Sequence, residues 1–347
     1  MTQLPAAFLA AAKDLLGPKG WSEDPERLLE VSTPWRGTYQ GETPFLARPA
    51  STAEAAALVK LCAQHRVALT PQGGNTGLVD GGTPHGEIVV SMGRMHAVRS
   101  VDQFNNSLVI EAGAPLVTAQ AAAEEAGRLF PLSLGSEGTA TIGGLISTNA
   151  GGVNVLRYGM MRDLILGLEV VLPSGEVWDG LSGGTLGLIT AATLKLFPQV
   201  RRASAWVCCD STADVVALLA LVRQHAGDTV TSFEIIPAGA IDMVMADIPG
   251  TRDPLPSGLP WRVLMEVSMV DEAQANAALE KALEAAFEQD LVKEGVVASS
   301  QAQADSFWHI RETIPLSKRA YGTAINQDIA VPVSRIPAFI DSCNAAV

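Results

Sequence analysis

The sequence predicts an α+β fold in two domains, the first spanning residues 1–198 and the second residues 199–347. Three observations predict it. Strand and helix patterns alternate at short spacing from Pro44 to Val177, as a mixed sheet requires. Two long glycine-rich segments interrupt that alternation. Beyond Pro198 and Arg201-Arg202 this texture gives way to long helical patterns, which places the domain boundary near Pro198.

The first nineteen residues carry Lys13 and Asp14 within an apolar stretch and end on Gly17-Pro18, which reads as a short helix and not as a signal peptide. Residues 45–49 form a strand pattern, and Ser51-Thr52-Ala53-Glu54 is a capping box opening a helix to His65, in which Ser51 and Glu54 each satisfy an end amide. Residues 67–71 return as a strand. A second alternation follows: a strand at 107–113, a helix at 116–127, and strands over 165–177 around the turn Pro173-Ser174-Gly175. In the second domain, helices are predicted at 213–226 and 271–288, and the Pro- and Gly-rich stretch 249–260 reads as an exposed loop.

With 48% hydrophobic residues, a chain of 347 residues can bury a large core. Its formal charge of −13 repels polyphosphate backbones, and no Lys/Arg block offsets it, so nucleic acid is excluded as a partner. The cysteines Cys62, Cys208, Cys209 and Cys343 have neither zinc-finger nor disulfide-framework spacing and point to reduced thiols in a cytoplasm. No apolar run approaches the roughly 20 residues that a membrane span needs.

The first glycine-rich segment, Pro71-Gln72-Gly73-Gly74-Asn75-Thr76-Gly77-Leu78, directly follows a strand. Its backbone amides and the Asn75 and Thr76 side chains could ring a pyrophosphate, although such a segment also serves as a plain tight turn. It matches neither a Rossmann fingerprint nor a P-loop. The second segment runs from Pro131 to Gly152 and includes Leu134-Gly135 and Thr141-Ile142-Gly143-Gly144-Leu145-Ile146-Ser147-Thr148-Asn149-Ala150-Gly151. So little side-chain volume over so many positions leaves space for a large flat ligand, or else the run packs against itself.

Together with Tyr158-Gly159 and Gly184-Thr185-Leu186-Gly187-Leu188-Ile189-Thr190, the two segments resemble the FAD-binding domain of the vanillyl-alcohol oxidase/p-cresol methylhydroxylase superfamily (PCMH type). The similarity is closest to its D-2-hydroxyacid dehydrogenase branch, which acts on D-lactate, glycolate or D-2-hydroxyglutarate. The resemblance implies a two-subdomain PCMH-type FAD-binding domain over 1–198, followed by a partial α+β cap, or substrate, domain over 199–347. It implies that Pro71, Gln72, Gly73, Gly74, Asn75, Thr76, Gly77 and Leu78 embrace the FAD pyrophosphate. Pro131, Leu134, Gly135, Thr141, Gly143, Gly144, Ser147, Asn149 and Gly151 would line the flavin and ribityl chain, with Ile189 by the adenine. Some members attach flavin through a His after the paired glycines; Asn75 stands there, so non-covalent FAD is expected.

In the cap domain, Trp308-His309-Ile310-Arg311-Glu312 is similar to the motif whose Arg pairs with the substrate carboxylate, a contact that suits a guanidinium fork. Read on its own residues, Arg311 is a helix-surface Arg with Glu312 and Asp305 as partners, and His309 a packed helix residue. Asn326 stands where many members carry a second, cationic carboxylate contact. Members also carry a longer stretch between the positions of Trp178 and Gly184. Beyond the position of Val347 they carry a His-x-Gly-Asp-Gly-Asn-x-His segment with the base and metal ligands, which implies a C-terminally short chain with no metal site among its residues. The implied reaction is oxidation of a D-2-hydroxy acid to the 2-oxo acid by hydride transfer to flavin N5. Electrons would pass to a quinone, a cytochrome or an electron-transfer flavoprotein. Two alternatives stay open: a non-catalytic FAD-binding subunit of a glycolate oxidase-like complex, and an NADPH-dependent reductase like UDP-N-acetylenolpyruvoylglucosamine reductase. Homo-oligomer and hetero-subunit assembly are both open as well.

Overall fold

The computed structural model describes residues 4–35, 37, 40–180, 187–255, 258–321 and 329–346. Contacts divide the chain into two units, Met1–Gly152 with Gly159–Gln199, and Val153–Tyr158 with Val200–Val347. The chain thus enters the second unit briefly at Val153–Tyr158, an excursion too short to leave a pattern in the sequence.

In the first unit the chain forms α1 (Ala6–Leu16), β1 (Trp21–Ser22), α2 (Pro25–Ser32), β2 (Leu46–Ala47), α3 (Thr52–His65), β3 (Leu69–Gln72) and β4 (Ile88–Ser91). The Ser51 side chain caps α3 as expected, accepting from Glu54 N. Glu54 reaches one residue further back than a capping box requires, to Ala50 N at 2.8 Å. Ala55, Leu58, Val59 and Cys62 recur at helical spacing along α3, and all are buried beside Phe8, Ala12 and Leu16 of α1. This pair of helices packs with a sheet ordered β1-β2-β4-β3, in which β2, β4 and β3 run parallel. The first glycine-rich segment leaves the carboxyl end of β3.

The unit continues with β5 (Val98–Asp102), β6 (Ser107–Glu111), α4 (Leu116–Glu125), β7 (Arg128–Leu129), α5 (Ile142–Ser147), β8 (Ile165–Val171), β9 (Val177–Gly180), β10 (Leu188–Lys195) and β11 (Phe197–Pro198). An antiparallel sheet is ordered β5-β6-β10-β8-β9, and β11 pairs with β7. The predicted turn closes the β8–β9 hairpin, with Gly175 at φ +83°. Arg99 of β5 bridges Glu111 of β6 and Glu169 of β8, at 3.3 and 3.1 Å. Thr52 and Thr190 add hydrogen bonds to the same Glu169 carboxylate, at 2.6 and 2.8 Å.

The second unit holds α6 (Val155–Tyr158), β12 (Arg201–Cys209), α7 (Thr212–Ala226), β13 (Val230–Pro237), α8 (Ala238–Asp247), β14 (Trp261–Met269), α9 (Glu272–Glu288), β15 (Glu294–Val297), α10 (Gln301–Ser317) and α11 (Ile336–Ala346). Its sheet is antiparallel throughout, ordered β13-β14-β12-β15. One face carries Ala205, Val207, Met265 and Val267 against α7 and α9; the other carries Trp206, Leu264 and Ile236 against α8 and α10. Because both faces are covered, β12 reads as an unbroken small and apolar run from Ala203 to Cys209 and not as an alternation.

The 249–260 stretch is not a simple exposed loop. Arg262 donates through Nε and Nη2 to Asp253 Oδ2, at 3.2 and 3.1 Å, and through Nη1 to Leu259 O. Both side chains of this ion pair are almost fully buried, at 3% and 8% exposure. Proline and glycine spacing shows where a chain turns but not what it covers, which is why the sequence reading missed this anchor.

Candidate cofactor cradle and carboxylate anchor

The two glycine-rich segments lie against each other. An added Cβ on Gly74 would stand 1.8 Å from Thr139 O, and one on Gly73 would stand 2.0 Å from Thr141 Oγ1. These glycines are therefore required first by protein–protein contact, and Gly143 and Gly152 repeat the theme. Their added Cβ atoms would meet Ala112 Cβ at 2.8 Å and Ser133 O at 2.3 Å, with Gly152 held at φ +142°. To that extent the run does pack against itself.

Side-chain amides brace the first segment. Gln72 is buried, and its Nε2 donates to Val31 O and Gly82 O at 2.8 and 2.9 Å. Asn75 adopts φ +52°, a left-handed conformation that Asn tolerates, and its Nδ2 donates to Thr33 O at 2.9 Å. The outer residues Gly74, Gly77 and Leu78 are exposed, Pro71 is exposed within β3, and Thr76 is half-buried.

In the second segment, Ile142 N and Gly143 N donate to Ala114 O and Ala112 O, which seats α5 on the β6–α4 connection. Ser147 Oγ and Thr148 Oγ1 return to the carbonyls of Gly143 and Gly144. Asn149, at φ +47°, accepts from Arg162 N at 2.9 Å. Leu134 N donates to Glu137 Oε1; Pro131 is buried and Gly151 half-buried. Ile189 packs on the core formed by Phe8, Leu58 and Val90.

Two features fit a bound group. Gly135 and Gly138 have nothing within 4 Å of a would-be Cβ, and Gly144 has only Thr141 Oγ1, at 3.5 Å. Thr141 Oγ1 is itself buried and has no hydrogen-bond partner among the described residues, an arrangement that is costly unless something else accepts or donates there. The cradle thus combines open glycine backbone with one orphaned hydroxyl, a donor set suited to the hydroxyls and phosphates of a dinucleotide. Gly135, Gly144 and Thr141 are the residues that would hold it.

In the second unit, Arg311 stands on α10 and donates through Nε to Glu234 Oε2 of β13, at 3.1 Å. Its partner is thus neither Glu312 nor Asp305. Three residues earlier on α10, Trp308 Nε1 donates to Glu266 Oε2 of β14, also at 3.1 Å. Glu266 is 2% exposed and also accepts from Ser204 Oγ and Thr231 Oγ1, with Arg202 Nε 3.6 Å away. Burial pushes the Tyr158 hydroxyl above its ordinary 10.0, against the pull of Arg157 and Arg202. Sequence reasoning missed Glu234 and Glu266, although a lone carboxylate inside an otherwise apolar strand run was a usable signal. His309 is exposed and not packed. Asn326 and residues 181–186, where the longer stretch of the relatives was expected, lie outside the described residues. Among the described residues no group of three or more His, Cys, Asp or Glu could hold a metal ion, and no helix is long and apolar enough to cross a membrane.

Residues 43–180 match the FAD binding domain, and residues 198–347 match the C-terminal domain of FAD linked oxidases. Mitochondrial D-2-hydroxyglutarate dehydrogenase of Arabidopsis thaliana is 33% identical over 344 residues, covering 93% of this chain and 62% of its own length. D-2-hydroxyglutarate dehydrogenase of Xanthomonas citri pv. viticola is 32% identical over 341 residues, covering 93% and 71%. Among solved structures, p-cresol methylhydroxylase with substrate bound superposes with a TM-score of 0.67 at 16% identity, covering 87% of this chain and 70% of that one. The two family matches define an FAD-binding protein with an oxidase-type C-terminal domain and FAD as its cofactor, and its fold is that of the p-cresol methylhydroxylase structure. The chain belongs to the FAD-linked oxidase family that includes the D-2-hydroxyglutarate dehydrogenases. It spans 62% of the length of the Arabidopsis relative.

Proposed function

We propose that this protein is an FAD-dependent dehydrogenase that oxidises a small D-2-hydroxy acid to the 2-oxo acid, with D-2-hydroxyglutarate the first substrate to test. The observation that carries the reading is Arg311. In a chain that also holds an FAD cradle, it presents a guanidinium whose Nη1 and Nη2 have no partner among the described residues. Bound FAD supplies the two-electron acceptor that such an oxidation needs. Arg311 would orient the substrate carboxylate, and a second contact from Asn326 belongs to the same proposal. The FAD site is built from Pro71 to Leu78, the 131–151 residues named above and Ile189. Non-covalent binding follows from Asn75, whose amide is engaged with Thr33 O and carries no nucleophilic nitrogen. No base is assigned within this chain. Cytoplasmic placement is part of the reading, supported by four cysteines that form no disulfide. The domain limits 1–198 and 199–347 are proposed as the functional division.

Anaerobic mixing of the FAD-loaded protein with D-2-hydroxyglutarate, D-lactate, glycolate or NADPH, followed at the flavin absorption band, tests the proposal. Bleaching by a D-2-hydroxy acid supports it. Bleaching by NADPH alone assigns the reductase reading, and bleaching by none of them, with FAD retained, assigns the non-catalytic subunit. Repeating the reduced-flavin assay with a quinone, a cytochrome or an electron-transfer flavoprotein identifies the electron acceptor, and light scattering gives the oligomeric state.

A further inference from the structure

An arginine recognises a carboxylate best when its planar fork is held in place before the ligand arrives, because ordering a long side chain on binding opposes affinity. Two carboxylates hold the relevant face of α10. Glu234 on β13 lies opposite Leu264 on β14, and Ser232 lies opposite Glu266, so Glu234 and Glu266 are diagonal neighbours on one face of the sheet. That face packs α10 through Phe307 and Ile310. Glu266 takes Trp308 Nε1 and Glu234 takes Arg311 Nε, each at 3.1 Å, so two side chains three positions apart pin the helix to two adjacent strands.

The contact at Arg311 is single and uses Nε alone. A carboxylate competing with a ligand would take one of the two-nitrogen edges of the guanidinium, where two parallel hydrogen bonds form. Here the edge between Nη1 and Nη2 has no partner among the described residues. Glu234 and Arg311 are also partly shielded, at 25% and 34% exposure, so solvent does not fully screen their attraction.

We propose that Glu234 is a positioning residue: it grips Arg311 through Nε and turns the Nη1–Nη2 edge outward for a two-point contact with the carboxylate of a 2-hydroxy acid. The inference rests on the reading of Arg311 as the carboxylate anchor. Glu266, through Trp308, would fix the helix turn from which Arg311 projects.

Isothermal titration of the FAD-loaded protein with D-2-hydroxyglutarate and with D-lactate gives the first readout. Glu234→Ala should weaken binding about tenfold or more, the scale on which a charge-assisted contact orients its partner. Glu234→Gln, whose amide oxygen still accepts from Nε, should stay within about threefold of the wild type. The second readout is the Arg311 Nε–H resonance, identified by its loss in Arg311→Lys. It should be protected from exchange in the wild type and in Glu234→Gln, and unprotected in Glu234→Ala. Binding that is unchanged or tighter in Glu234→Ala, or a resonance indifferent to Glu234, overturns the inference. If Arg311→Met binds both probes as the wild type does, or the wild type binds neither, the anchor reading fails and the role of Glu234 fails with it. Loss of binding in Arg311→Met beside unchanged binding in Glu234→Ala overturns the inference alone.

Discussion

Replacing Gly74 with alanine separates the two reasons a glycine can be required in the cradle. The new Cβ would sit 1.8 Å from Thr139 O and 2.7 Å from Thr139 C, whereas real Cβ contacts stay beyond 3.0 Å. The two glycine-rich segments must therefore part by at least the difference between 1.8 and 3.0 Å, about 1.2 Å. Overpacking of this kind costs about 1–3 kcal/mol even in the cofactor-free protein. If that shift also breaks one hydrogen bond to a charged phosphate, worth about 1.5–3 kcal/mol, FAD affinity falls roughly ten- to a hundredfold. Equilibrium titration of the apoprotein with FAD, followed by flavin fluorescence, measures the second effect, and apoprotein Tm measures the first. Gly77→Ala is the matched control for apoprotein Tm, since its Cβ would meet only Val79 O, at 3.7 Å. Gly135→Ala is the complement, because no atom lies within 4 Å of its Cβ. It should leave apoprotein Tm unchanged while lowering FAD affinity, which would show that the cofactor itself packs there. Wild-type FAD affinity together with wild-type Tm in Gly74→Ala would refute the close approach of the segments.

Three further outcomes follow from the structure. Asp253→Ala removes the carboxylate paired with the buried Arg262 and should destabilise the second unit by about 3–5 kcal/mol, read as a lowered denaturant midpoint; a shift under about 1 kcal/mol would mean that the other contacts of Arg262 compensate. Burial raises the Glu169 pKa, but the hydrogen bonds from Arg99, Thr52 and Thr190 outweigh it and hold the carboxyl below its ordinary 4.5. A depressed folded-state pKa stabilises above the unfolded value and is lost as pH falls through the folded one, so wild-type stability should drop on acidification below about 4.5. The site is partly solvated, so the effect should be about 1 kcal/mol or less; a Glu169→Gln curve that falls as steeply as the wild type would place the acid sensitivity elsewhere. Finally, burial pushes the Cys62 and Cys209 thiols up to about 12, Cys208 is buried, and Cys343 is exposed. Ellman's reagent should therefore modify one thiol in the native protein and all four after denaturation; rapid reaction of more than one native thiol would contradict this burial.

Much of the local structure was legible from the sequence because its causes lie within a few residues of their effects. Ser51 and Glu54 announced the start of α3, and Gly175, within Pro173-Ser174-Gly175, announced the β8–β9 turn. The joint occurrence of the two glycine-rich segments was enough to point to FAD. The sequence could not say why those glycines are glycines. Gly74 and Thr139 are far apart along the chain, and only the tertiary fold brings the carbonyl of one onto the Cβ position of the other. The same holds for the carboxylates of the second unit. Arg311 stands 77 positions from Glu234 in the chain, and Trp308 stands 42 from Glu266. No local pattern links such pairs; strand register and helix packing decide them. The excursion of Val153–Tyr158 into the second unit and the burial of Asp253 against Arg262 are of this kind too. Periodicity, caps and turns determine elements, because they act through neighbours in the chain. Long-range pairing determines which of those elements' side chains meet, and so which arginine is gripped, which hydroxyl has no partner among the described residues, and where the backbone stays open.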